Sequence, residues 1–145
     1  MAPEVEMYQT ISHYRVLERL GSGGAGEVWK SEDLRLKRVV AIKFLAPDLA
    51  RDDRAIERLR SEAQMAAALT HPNIATVYEV VDSTDQFYIV MEFVEGKSLK
   101  SRIERGPLDI DASLEVAAQI ANALSCARSR IDSLRYQVFE HNDHA

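Results

Sequence analysis

Four of the chain's six glycines crowd into one short stretch, at Gly21, Gly23, Gly24 and Gly26. Nothing else in the sequence restricts the fold as strongly. Glycine lets a backbone bend sharply and brings its N–H groups close to a neighbour or a ligand. What such a cluster does depends on its flanks. Upstream, residues 14–20 place apolar side chains at Tyr14, Val16, Leu17 and Leu20, which reads as a strand. Downstream, Glu27-Val28-Trp29-Lys30 resumes the alternation. The glycines are therefore expected to join two antiparallel strands. A dinucleotide-binding glycine loop opens a helix instead, because the helix N-terminus holds the pyrophosphate, so that use is set aside. A plain glycine-rich hairpin turn stays open at this point.

The rest of the chain supplies a sheet and few helices. Residues 38–45, RVVAIKFL, are rich in β-branched side chains and predict a buried strand closed by Pro47. Over 52–70, Ile56, Leu59, Ala63, Ala66 and Leu69 recur at helical spacing and form one apolar stripe. Asp52 and Asp53 sit near its start, where the helix dipole favours anions, and His71-Pro72 ends it. Strands at 75–81 and 87–94 flank a polar hairpin turn at 82–86. A short helix over 98–105 stops at Gly106-Pro107. Asp111 is expected to cap a last helix from about residue 112, apolar at Val116, Ile120, Ala123 and Leu124, with a pattern extending through Ile131, Leu134 and Val138.

Composition bounds the function classes. With 145 residues the chain is one domain or part of one, and 46% apolar residues exclude wholesale disorder. One cysteine, Cys126, excludes an internal disulfide framework and fits a reducing compartment. Eighteen basic against twenty-three acidic residues leave no basic surplus for a general nucleic-acid binder. No apolar run is long enough to span a bilayer. The first ten residues carry Glu4 and Glu6 and no apolar core of a signal peptide. A cytoplasmic location and no membrane segment are expected.

Two charged residues stand out. Lys43 lies within the apolar run Val40-Ala41-Ile42-Lys43. A strand-end surface lysine is the ordinary alternative, but an unpaired ammonium inside an apolar run is costly. Glu62 lies beside the helical stripe, three residues from Leu59 and four from Ala66, and is favoured as its carboxylate partner. Glu57 competes from further off the stripe. A solvent pair of Glu62 with Arg58 is the bland alternative, worth about 0.3–0.5 kcal/mol.

In order, GSGGAGEV, VAIK, the helix carrying SEAQ, HPNI at 71–74 and YIVMEFVEG at 88–96 resemble the N-terminal lobe of a protein kinase, followed by the first helices of its C-terminal lobe. The wording is nearest to the eukaryote-like serine/threonine kinases of bacteria, over residues 14 to about 124. The resemblance implies an α+β fold, a five-stranded antiparallel sheet with one long helix, then two helices of an incomplete C-lobe. It divides the chain into an N-terminal extension (1–13), an ATP-binding lobe (14–95), partial C-lobe helices (96–126) and a divergent tail (127–145). It implies that Lys43 binds ATP phosphates and pairs with Glu62. The loop of Gly21, Ser22, Gly23, Gly24, Ala25 and Gly26 would cover those phosphates. Leu20, Val28 and Ala41 would roof the adenine, Met91 would be the gatekeeper, and Glu92 to Val94 would be the hinge. Ordinary strand core is the competing account of Val28, Ala41 and Met91.

The sequence also departs from the family. No H-R-D-x-x-x-x-N and no D-F-G occurs in it, so the catalytic Asp and the Mg²⁺ ligands that phosphoryl transfer uses are absent. The chain alone is expected to be inactive, to hold no metal and to bind ATP only at high micromolar concentration or weaker. His141-Asn142-Asp143 is read as a coincidence, and His141 with His144 is too few ligands for a metal site. From about Ser125 the tail reads as a replaced or out-of-frame end. The partner implied is a protein substrate. A helix whose apolar face lacks its lobe further predicts association or aggregation. A pseudokinase-like binding module and a non-functional fragment are the alternatives.

Overall fold

In the computed structural model, which describes residues 5–24, 26–46, 48–83 and 86–142, the glycine cluster does not form a loop of its own length. Strand β2 (Tyr14–Gly23) runs on through the glycines, and β3 (Gly26–Asp33) starts at the last of them. Gly23 pairs with Gly26, so the two strands form a hairpin with a two-residue turn. Ala25 lies outside the described residues. Register slips at Leu17 and Leu20 bend β2 along its length.

Strand β1 (Thr10–Ile11) precedes this hairpin, and β4 (Arg38–Leu45), β5 (Val77–Ser83) and β6 (Gln86–Glu92) follow it. Together they form one antiparallel sheet in the order β1-β2-β3-β4-β6-β5. The sequence predicts five strands. The sixth is the two-residue β1, inside the segment read as an extension and too short to show a period. The sheet curls until strands far apart in its order meet. The Tyr14 hydroxyl on β2 donates to Glu79 on β5 at 2.7 Å. Burial and that carboxylate push the Tyr14 hydroxyl well above its ordinary value.

Period-two alternation sorts the strands onto two faces. Tyr14, Val16, Trp29, Val40, Ile42, Phe44, Tyr88 and Val90 fill the inside of the curl. The other face carries helix α1 (Asp53–Ala67). There Ile56, Leu59 and Ala63 pack with Leu45, Phe87, Ile89, Val77 and Val80. Burying an aliphatic side chain contributes about 1.5–3 kcal/mol, so this stripe is what holds α1 to the sheet. Asp52 caps the helix by accepting the N–H groups of Arg54 and Ala55 at 3.0 and 3.3 Å. Arg60 fastens its outer side to β5 by donating from Nε to Asp82 at 2.6 Å.

The β3–β4 turn is built on a buried acid. Asp33, 1% exposed, accepts the N–H groups of Arg35 and Leu36, both at 2.9 Å. His13 and Arg38 stand 3.8 and 3.9 Å from its carboxylate. Burial alone would raise this carboxyl. The N–H groups of Leu36 and Arg35, with the charges of His13 and Arg38, outweigh burial and hold it below its usual value. Unfolded, the group titrates at about 3.9. Its stabilisation is therefore whole above that value and is lost as pH falls through the lower folded value. Urea denaturation followed from about pH 6 to about pH 2 should show Asp33→Asn losing less stability with acid than the wild type. Parallel curves would contradict this account.

The chain divides into two units, Met1–Ala67 with Ala75–Phe93, and Ala68–Ile74 with Val94–Ala145. The second holds α2 (Leu99–Ile103) and α3 (Ile110–Asn142). The Ser98 side chain caps α2, accepting the Ser101 N–H at 3.1 Å. The cap of α3 is Asp109 rather than Asp111. Its Oδ1 accepts the Ala112 N–H at 2.7 Å, which puts Asp111 inside the first turn. Within this unit Asn73 donates to Gln119 of α3 at 3.5 Å.

Candidate functional site

Strand register brings most of the predicted site residues of the first unit onto one sheet face. Across the sheet, Val28 pairs with Lys43 and Lys43 with Ile89. One row over, Lys30 pairs with Ala41 and Ala41 with Met91. Residues directly opposite in a ladder point to the same side. Ile89 and Met91 belong to the face that carries α1. Val28, Ala41, Lys43 and Met91 therefore share the helix-bearing face, beside the glycine turn. Ala41 is buried, while Val28, Lys43 and Met91 are half-buried. Leu20 sits at a register slip and is 46% exposed.

The glycines divide into two kinds. Gly26 has φ +130, and a Cβ there would lie 1.9 Å from the Phe44 carbonyl oxygen. The hairpin requires that glycine. At Gly21, Gly23 and Gly24 a Cβ would meet nothing within 4 Å. Their bareness serves no packing in this unit. It leaves three backbone positions, with Ser22 among them, exposed to an incoming group.

Lys43 stands where the sequence expects it, mid-strand and half-buried. Its side chain makes no ion pair or hydrogen bond among the described residues. Glu62 is exposed and does not meet it. The reason is where α1 leans. Ala63, the next residue, is the one buried against Leu45 and Ile89, and Arg60 draws the helix toward Asp82 of β5. Glu62 is thereby turned one step off the contact. Neither alternative partner arrangement appears. Glu57 pairs with Arg60, and Glu62 makes no pair with Arg58. Where Lys43 has no partner among the described residues, Lys30 of the neighbouring row has two: Glu18 at 3.3 Å and the Phe93 ring at 4.9 Å.

At the end of β6, Glu92 is held from β5's side. Its N–H donates to the Thr76 carbonyl at 2.8 Å, and its Oε2 accepts the Thr76 N–H at 3.0 Å. No sequence pattern announces this side-chain contact, since residue 76 precedes the strand. Val94 belongs to the second unit and is 66% exposed. Among the described residues no group of three or more His, Cys, Asp or Glu is arranged to hold a metal ion. None of their helices is long and apolar enough to cross a membrane. Asp143 and His144 lie outside the described residues.

Known proteins resemble this chain in sequence and fold. Serine/threonine-protein kinase PrkC of Bacillus subtilis is 44% identical over 115 residues, covering 79% of this chain and 18% of that protein. Serine/threonine-protein kinase PknB of Mycobacterium tuberculosis is 44% identical over 117 residues, covering 77% of this chain and 19% of that protein. The chain thus spans about a fifth of the length of these curated relatives. The crystal structure of the M. tuberculosis PknI kinase domain superposes with a TM-score of 0.76 at 29% identity, over 87% of this chain and 51% of that one. A family model described as protein kinase domain matches residues 14–130, and the chain belongs to the protein kinase family.

Proposed function

We propose that this chain is the ATP-handling part of a serine/threonine protein kinase. The observation that carries the proposal is Lys43: an ammonium with no ion pair among the described residues, half-buried between Val28 and Ile89, beside a turn whose Gly21, Gly23 and Gly24 have open space where side chains would stand. An ammonium on an apolar sheet face, with no counter-ion among the described residues, is a site for an anion. Backbone N–H groups at bare glycines can approach phosphate oxygens that side chains would hold off. Val28, Ala41 and Met91 offer an apolar surface to a flat heterocycle, and Glu92 offers backbone groups to its edge. ATP combines these three chemistries. Glu62 lies on the helix over the same face and is the carboxylate that would meet Lys43 when α1 shifts toward β4.

The fit ends there. Among the described residues no group of three or more His, Cys, Asp or Glu is arranged to hold a metal ion, and the sequence has neither H-R-D-x-x-x-x-N nor D-F-G. No step is therefore assigned to a metal or to an attacking hydroxyl. These residues bind and orient; the transfer to a protein Ser or Thr requires groups they do not include. Calorimetric titration of the 145-residue chain with Mg-ATP should give a Kd of about 100 μM or weaker, about −5 kcal/mol, and radiolabelled ATP should yield no phosphoprotein. Nanomolar binding, or transfer by the chain alone, would overturn this reading.

A second reading draws on the other unit. Ile103, Ile110, Leu114 and Leu124 of α2 and α3 are 51%, 78%, 63% and 64% exposed, apolar area of the kind a partner-binding module uses. Capture of one specific protein, unchanged by Lys43→Met, would favour it.

A further inference from the structure

The glycine hairpin has two faces, and only one of them looks toward Lys43. Gly21 pairs with Val28 and Val28 with Lys43, which puts these three on the helix-bearing face. The next row lies on the other side. Ser22 pairs with Glu27 and Glu27 with Phe44, while Arg19 pairs with Trp29 and Trp29 with Ile42. Ile42 and Phe44 fill the inside of the curl. Arg19, Glu27 and Trp29 therefore stand on that inner face, behind the turn as seen from Lys43.

There the half-buried Glu27 uses both carboxylate oxygens. Oε1 accepts from the Arg19 guanidinium at 3.1 Å, and Oε2 accepts from the Trp29 indole N–H at 3.1 Å. Trp29 is 7% exposed and fixed in the core. Arg19 lies on β2 just before the register slip at Leu20. A slip leaves a residue out of the ladder and lets the strand bend. Glu27 thus bridges the point where β2 can bend and ties both strands of the turn to a rigid indole. The glycines themselves add no side chain to hold the turn.

We propose that Glu27 is a positioning residue for phosphate binding: through Arg19 and Trp29 it holds the glycine turn in place before the ligand arrives. The inference rests on the nucleotide reading above and adds a residue that does not touch the ligand. A turn ordered in advance has less freedom to lose on binding. The Arg19 and Glu27 side chains are 56% and 37% exposed, and an ion pair so exposed contributes little to stability. Its loss falls on the turn and spares the fold.

Titrations of ATP and adenosine into the 145-residue chain and its variants test this. Adenosine has no phosphates to meet the turn. Glu27→Gln can satisfy one of the two donors but not both, and Arg19→Met removes one of them. Each should weaken ATP at least about fivefold, the cost of ordering one backbone residue, and leave adenosine unchanged. The double variant should lose no more than either single one. In ¹⁵N relaxation without ligand, backbone order at Gly23 and Gly24 should fall in both variants. Glu32→Gln is the control. It breaks the Arg15–Glu32 pair between the same two strands, far from the turn, and should change neither ligand. Equal weakening of ATP and adenosine, or the same loss in Glu32→Gln, would make Glu27 a general support of the sheet and overturn the proposal. Unchanged ATP affinity in both variants would overturn it while leaving the nucleotide reading intact. A wild type that binds no ATP contradicts both.

Discussion

Gly26→Ala should destabilise the fold by about 3 kcal/mol or more, the largest single-residue effect the structure predicts. The backbone at Gly26 has φ +130, a conformation that side chains rarely adopt. A Cβ there would also lie 1.9 Å from the Phe44 carbonyl oxygen and 2.9 Å from the Ala46 nitrogen. Both neighbours are backbone, and Phe44 belongs to a strand paired on both sides, to β3 and to β6. Neither can give way without breaking the centre of the sheet. Gly23→Ala and Gly24→Ala are the controls. Their Cβ atoms would enter open space, so each should leave stability within about 0.5 kcal/mol while weakening ATP binding. Urea midpoints read the first effect and ATP titration the second. A Gly26→Ala chain as stable as wild type would contradict the hairpin geometry.

Lys43→Met should act in the opposite direction. The side chain is half-buried among Val28, Ala41, Leu45 and Ile89 and contributes no ion pair among the described residues. Methionine has similar reach and no charge to desolvate, so the fold should be as stable or more stable. ATP affinity should fall at least about tenfold, since a hydrogen bond to a charged group is worth about 1.5–3 kcal/mol. A group that costs stability and is kept for binding gives this split. Loss of stability together with unchanged ATP affinity would mark Lys43 as an ordinary part of the sheet.

Residues that pack were the legible ones. Arg38–Leu45 forms over the range its β-branched run predicts, because a strand buried on both faces needs apolar side chains throughout. The stripe of α1 was equally plain at Ile56, Leu59 and Ala63. Elements held by backbone alone were hidden. β2 extends through Gly21 to Gly23 because its ladder to β3 needs no side chains. β3 extends to Asp33 because Ser31 and Asp33, though polar, are buried. The cap of α3 fell to Asp109 because two acids two residues apart look alike in sequence, and only the hydrogen-bond register separates them. Periodicity placed Glu62 beside the buried stripe but could not say how far α1 leans toward β5, and that lean keeps Glu62 from Lys43. The Glu92 contact with Thr76 had no sequence signature at all.

The most direct test is a residue-by-residue map of ATP binding from ¹H–¹⁵N spectra of the labelled chain. Saturable shifts should gather at Gly21, Gly23, Gly24, Val28, Lys43 and Glu92, and should require millimolar rather than micromolar ATP once Lys43→Met is introduced. Shifts centred on Tyr14, Trp29, Val40 and Tyr88, inside the curl of the sheet, or a map indifferent to Lys43→Met, would contradict it.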